Sequence, residues 1–242
     1  MIADDGRSRE RVRPAHLRKP LVQSADLAED RARAMALTPV SRETADRLDR
    51  FVTLLLDWQR RINLIAASTE ATIWTRHVAD SLQLIDLAPG AKIWADFGSG
   101  GGFPGLVIAC ALADVAGARV HLVERSAKKV AFLREAARFT DVPAEIHAVS
   151  AAEFVAQAPE GIEVVTARAV APLADLLSAV HPLLIRGGVG LFPKGQAVEA
   201  ELTEAAKCWN IRATLVPSRT DPKGRIVVVR GLEPILDRRK PR

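Results

Sequence analysis

The sequence predicts an α/β fold, a mostly parallel sheet covered by helices on both faces. A glycine-rich turn, Asp96-Phe97-Gly98-Ser99-Gly100-Gly101-Gly102-Phe103-Pro104-Gly105, joins a short apolar run to a helix-like one. A second apolar run, residues 119–124, follows that helix and ends in a carboxylate, Glu124. Strand-like and helix-like stretches then alternate to about residue 209, which is the rhythm of βαβ units.

Taken in order, residues 1–36 show no helical or alternating apolar pattern and are expected to be a disordered arm. A natural start at Met35, or a dispensable arm, goes with that expectation. Residues 37–90 predict a helical cap. Ser41 is placed to cap a helix in which Leu48, Phe51, Val52, Leu55 and Leu56 recur at helical spacing. A second helix is expected over 70–86, with Trp74, Val78, Leu82 and Ile85 on one side. The core, 91–232, holds strands at 92–97, 119–124, 144–149, 163–167 and 189–193. Helices at 106–113, 127–139, 173–184 and 198–209 separate or follow them. Residues 212–216 and 224–230 flank a polar, proline-containing turn with no helix between, so they predict a terminal antiparallel hairpin. Residues 233–242 form a basic tail.

A chain of 242 residues, 48% of them hydrophobic, suffices for one domain with a full core and an appendage. No apolar run approaches a membrane span, and no signal peptide opens the chain. Cys110 and Cys208 lack metal-ligand spacing and read as buried thiols in a reducing cytoplasm, and no metal site is expected. The net charge is +5, and removing the +2 of the first 34 residues leaves +3. The folded part is therefore mildly basic, which permits a polyanionic partner without demanding one.

The glycine turn after the first strand suits close approach of a nucleotide-like ligand, and Glu124 stands where a carboxylate reaches ribose hydroxyls. A dinucleotide needs a bare helix N-terminus for its pyrophosphate. Here Phe103 and Pro104 occupy that place and Asp96 adds negative charge, which favours a sulfonium ligand, S-adenosylmethionine, over NAD. An NAD(P)-dependent oxidoreductase and a small-molecule methyltransferase stay open as competing readings.

Absences narrow the chemistry. After strand four, enzymes acting on exocyclic amines carry an Asn/Asp-Pro-Pro-aromatic box, but this chain reads Thr166-Ala167-Arg168-Ala169-Val170-Ala171-Pro172. Neither cysteine lies near that loop to serve as a nucleophile for pyrimidine C5. An acceptor that already owns a lone pair, such as guanine N7, needs no base.

The segments at 96–105, Ala-Arg-Ala (167–169), Phe-Pro-Lys-Gly-Gln (192–196) and Arg-His-Val-Ala-Asp-Ser (76–81), with Asn63-Leu64 before the last, resemble the glucose-inhibited division protein B family. That family is the small-subunit ribosomal RNA methyltransferase G group, and the similarity spans residues 37–230. The resemblance implies the Rossmann-like seven-stranded S-adenosylmethionine-dependent methyltransferase fold with an N-terminal helical extension. It further implies methylation of guanine N7 in 16S rRNA, in the cytoplasm, with 16S rRNA or the small ribosomal subunit as partner and a monomeric enzyme. By matching position, the cofactor-binding residues are Asp96, Gly98, Gly100, Phe103, Glu124, Ala151, Ala152 and Arg168. Arg168 and Lys194 are the catalytic candidates. Arg76, Arg125, Lys128 and Lys194 are the candidates for RNA, while His77, Asp80 and Ser81 have the alternative duty of tying the cap to the core. Lys128, Lys129, Arg134 and Arg138 do not share a helix face. The four tryptophans sit in apolar patterns and read as core.

Overall fold

The computed structural model describes residues 24–235. Its centre is a seven-stranded sheet in the order β3-β2-β1-β4-β5-β7-β6. The strands are β1 (Ile93–Phe97), β2 (Arg119–Val123), β3 (Ala144–His147), β4 (Val164–Ala167), β5 (Val189–Lys194), β6 (Trp209–Pro217) and β7 (Arg225–Pro234). The first five run parallel, and β7 pairs antiparallel with both β5 and β6. The seven-stranded expectation with its terminal hairpin is met.

Helices α1 (Ser24–Leu37), α2 (Arg42–Gln59) and the short α3 (Asp80–Leu82) form the cap. Around the sheet lie α4 (Gly105–Leu112), α5 (Ala127–Thr140), α6 (Ala151–Ala156), α7 (Leu173–Leu184) and α8 (Val198–Ala205). The pleat sorts side chains by period two. Trp94 and Val120 face a core shared with α2, α4 and α5, whereas Ala95, Phe97 and Val123 face one shared with α6, α7 and α8. The chain leaves β1 toward β2 and β3, then returns to place β4 on the other flank of β1. A crevice therefore opens between the carboxyl ends of β1 and β4, where ligands sit in open α/β sheets.

Several sequence expectations need correction. Residues 24–36, assigned to the arm, are helical: α1 shares the core through Ala34, Leu27 and Met35. Its inward stripe is broken by Asp30 and Arg31, two charged residues that hid the helical period. Asp30 is nevertheless buried, and Arg31 forks onto Asp49 at 2.6 and 2.7 Å. The remainder of that arm, residues 1–23, and the end of the basic tail, 236–242, lie outside the described residues. Within the tail, Glu233 and Pro234 belong to β7.

The single helix expected over 70–86 is instead a chain of short turns: a 3-10 segment (Ala67–Thr72), a π turn (Trp74–Ala79), α3 and a second 3-10 segment (Ile85–Leu87). Helix α8 stops at Ala205 rather than 209, because Trp209, Ile211 and Ala213 pack at strand period on the α7–α8 side. Helix α6 went unexpected although Ser150-Ala151-Ala152-Glu153 spells a capping box, and Ser150 and Glu153 do cap each other's backbone. Cys110 is buried, and burial pushes its thiol up to about 12, but Cys208 is exposed. Among the described residues no helix is long and apolar enough to cross a membrane.

Candidate active site

The turn after β1 is a backbone device. Gly98 has φ +65°, and a Cβ there would lie 2.5 Å from Val170 Cγ2, so both conformation and space ask for glycine. At Gly105 a Cβ would sit 2.3 Å from Leu122 Cδ2 and 2.7 Å from Asp96, which lets α4 press onto the sheet. Two carboxylates lock the turn from behind. Glu124 accepts from Gly100 N at 3.0 Å and from Ser126 N at 2.8 Å. Asp96 accepts from Gly105 N at 3.1 Å and from Thr166 Oγ1 at 3.0 Å, joining β1, β4 and the start of α4. Burial pushes its pKa up to about 6, against the lowering effect of these donors.

The helical cap builds the opposite wall. Asp30 of α1 accepts from Trp74 N at 2.8 Å and Thr75 N at 3.2 Å, and bonds the Thr75 hydroxyl. It satisfies amides at the start of the π turn, where intrahelical partners are missing. That turn carries Arg76 and His77, and π turns recur at functional sites. Arg168, just beyond β4, donates to His77 Nδ1 at 2.6 Å, Arg76 O at 3.1 Å and Asp80 Oδ2 at 3.4 Å. Its guanidinium carbon lies 5.3 Å from the centroid of Phe103, and the His77 ring lies 4.9 Å from the same ring. With Nδ1 accepting, His77 donates from Nε2 to Thr69 Oγ1 at 2.8 Å. Burial first, then Arg168 and Arg76, push its pKa down to about 3, so the ring is neutral. Burial also lowers the Arg168 pKa, with Asp80 opposing.

The loop between β6 and β7 closes one side. Arg76 pairs with Asp221 at 2.7 Å, and Thr220 donates to Asp80 Oδ1 at 2.8 Å. Lys194, at the end of β5, donates to Glu201 at 2.8 Å and to Ala171 O at 2.8 Å, so it pins the 168–172 loop. Together these elements enclose a cavity of about 1010 Å³. Five cations (Arg76, Lys129, Arg168, Lys194, Arg225) against three carboxylates (Asp80, Glu201, Asp221) line it. That surplus suits a polyanion.

Of the residues singled out by sequence, Gly98, Gly100, Phe103, Arg168, Arg76 and Lys194 line this cavity. Asp96 and Glu124 stand behind it, buried, with their oxygens turned to backbone and Thr166. Both carboxylates fasten the turn in this structure. Ala151 and Ala152 open α6 beyond the end of β3, outside the lining, and Arg125 and Lys128 are exposed beside it. Lys129 reaches the cavity where Lys128 does not, because one position along α5 turns the side chain by about 100°. Asp30, Asp221 and Arg225 carried no sequence signal, since their partners are distant in the chain. His77 and Asp80 do tie cap to core, and they do so through Arg168.

Residues 44–225 match the family described as rRNA small subunit methyltransferase G (GidB). The chain belongs to this family. A Bradyrhizobium sp. (strain BTAi1) protein named "Ribosomal RNA small subunit methyltransferase G" is 57% identical over 213 residues, covering 88% of this chain and 96% of that protein. A protein of the same name from Nitrobacter hamburgensis is 57% identical, covering 92% of this chain and 84% of that one. Among solved structures, an O-methyltransferase from Bacillus cereus in complex with SAH superposes with a TM-score of 0.55 at 14% identity. It covers 86% of this chain and 99% of that one, a likeness of fold alone. The family's match begins after α1, so the helix that caps the π turn lies outside it.

Proposed function

We propose that this chain transfers a methyl group from S-adenosylmethionine to N7 of a guanine in 16S rRNA, acting as a monomer on the small ribosomal subunit in the cytoplasm. One observation carries the choice of atom: every carboxylate and imidazole lining the cavity is already committed. Asp80 is held by Arg168 and Thr220, Asp221 by Arg76, and Glu201 by Lys194 and Leu173 N. Both nitrogens of His77 are engaged. Among the described residues the cavity offers no free carboxylate or imidazole to take a proton, which suits an acceptor whose lone pair is already available.

The turn fits the cofactor. Gly98 presents backbone without a Cβ, and the carboxylate of Glu124 keeps lone pairs beyond its two amide bonds for ribose hydroxyls. Ala151 and Ala152 keep the adenine-flanking role by resemblance. When bound, S-adenosylmethionine supplies an electrophilic methyl on sulfonium sulfur. Arg168, backed by the buried Phe103 ring, offers its guanidinium plane for a purine ring to stack on. Among the described residues Lys129 and Arg225 form no salt bridge, and they bring positive charge for phosphate, with Arg125 and Lys128 extending it outside. Lys194 acts by holding the 168–172 loop. Rate then comes from alignment of acceptor and donor rather than from proton transfer.

The test is incubation with radiolabelled S-adenosylmethionine and undermethylated 30S subunits, in parallel with free 16S rRNA and metabolite pools. The methylated nucleotide is mapped by reduction and aniline cleavage, which cuts at N7-methylguanosine. Label in 16S rRNA with one new cut supports the reading. Label without a cut, or label in small molecules only, overturns it.

A further inference from the structure

At the edge of the sheet, outside the cavity lining, β2 and β3 bring three ligand-type side chains to one point. His121 lies directly opposite Glu145 in the parallel ladder, and His147 follows Glu145 by two residues, so all three project from the same face. His121 Nδ1 is 3.0 Å from His147 Nε2 and 3.4 Å from Glu145 Oε2, and the three ligand atoms lie within 4.8 Å of one another. We propose that His121, Glu145 and His147 bind a divalent transition-metal ion of the zinc class, clamping the edge strand to its neighbour. This site is separate from the methylation reading above.

The donor set decides the kind of ion. Two imidazoles and one carboxylate match zinc and its neighbours, whereas calcium and magnesium take oxygen. Tetrahedral bonds of about 2.0–2.2 Å put the ligand atoms about 3.3–3.6 Å apart. The widest separation, no more than 4.8 Å, therefore closes by up to about 1.3 Å, which rotation of the exposed Glu145 side chain supplies. In the hydrogen bond between the two rings one facing nitrogen carries a proton, which moves to that ring's outer nitrogen when the metal binds. Phe154 packs on both rings at 5.8 and 4.8 Å and fixes their orientation.

Two features limit the affinity. His121 Nε2, which must carry the proton when Nδ1 binds metal, has no partner among the described residues, and such a missing outer bond costs about 10–100-fold in affinity. Arg119 holds the other oxygen of Glu145 at 3.1 Å and adds repulsion. A micromolar rather than nanomolar site is the result. Because His147 O accepts from Glu124 N at 3.1 Å, the clamp sits beside the strand end that carries Glu124.

The test uses the full chain without an affinity tag, with Cys208→Ser throughout to remove the exposed thiol. Zinc chloride is titrated by calorimetry and Co(II) by its visible absorption. One equivalent with micromolar Kd is expected, together with a Tm rise of about 3–6 °C at tenfold saturation. His147→Ala and Glu145→Gln should weaken binding at least tenfold, and Arg119→Ala should tighten it several-fold. Glu145 and Arg119 are on the surface, so those variants keep the fold even if His147→Ala does not. Binding below one equivalent, or unchanged in Glu145→Gln, overturns the proposal.

Discussion

The two walls of the cavity are built by different means. The sheet wall is backbone: a turn with φ of +65° at Gly98, a glycine pressed onto β1 and β2 at Gly105, and two acids tying amides 9 and 24 residues away. The cap wall is made of side chains whose partners are far apart in the chain. Asp30 reaches Trp74 across 44 positions, Arg168 reaches His77 across 91, and Arg76 reaches Asp221 across 145. A backbone wall is held by the ladder and is hard to disturb except by adding atoms. A side-chain wall is disturbed by removing one partner, because the others then lose their geometry.

The largest effect expected from this contrast is at Gly98. Gly98→Val adds a β-branched side chain at positive φ and against Val170, and should lower S-adenosylhomocysteine affinity on the order of 100-fold by calorimetry. Retained affinity would remove the turn from the cofactor site. Arg168 joins the two walls, so Arg168→Ala should reduce kcat/KM on the order of 100-fold while S-adenosylhomocysteine still binds. Unchanged turnover on 30S subunits would leave it a structural brace.

Asp96 gives the sheet wall a pH signature. Its folded pKa of about 6 lies above the ordinary value of about 3.9, so between those pH values the folded state binds more protons than the unfolded. Stability from this group is therefore greatest below about pH 4, falls as pH rises toward 6, and stays lower above it. Asp96→Asn keeps an acceptor for Gly105 and a donor for Thr166 and does not titrate. In urea denaturation it should gain on the wild type by on the order of 2–3 kcal/mol between pH 4 and pH 7.5. An equal gap at both pH values would show that the carboxylate ionises without hindrance.

The smallest effect belongs to the far end of the cap wall. Asp30→Ala leaves two amides of the π turn uncapped and should cost about 1–2 kcal/mol of stability, read as a Tm lower by about 2–8 °C. Methylation should fall about tenfold through displaced His77 and Arg168, with S-adenosylhomocysteine affinity unchanged. A matching loss of cofactor affinity would mean that the two walls are not independent.

This division also explains what sequence reading reached. The strands and most helices of the core show in apolar period, and the turn shows in its glycines, because each rests on neighbours in the chain. Helix α1 escaped because Asp30 and Arg31 occupy its inward stripe, and the π turn escaped because its irregularity is set by a carboxylate from another helix. Asp96 stood out in sequence, but that its carboxylate bonds Gly105 N and Thr166 was not legible there: charge beside a glycine turn says nothing about which way the carboxylate faces. Lys194 was assigned to the substrate, yet Glu201 and Ala171 O hold two of its donors.

By itself the sequence determined the α/β winding, the terminal hairpin, the glycine turn and the family resemblance, since hydrophobic period and local backbone demands are written in consecutive residues. Only the tertiary structure decided which charges are committed and which face the cavity. The same holds for the meeting of His121, Glu145 and His147 at one sheet edge. Pairing between distant positions depends on strand order and register, and those are settled only when the whole core packs.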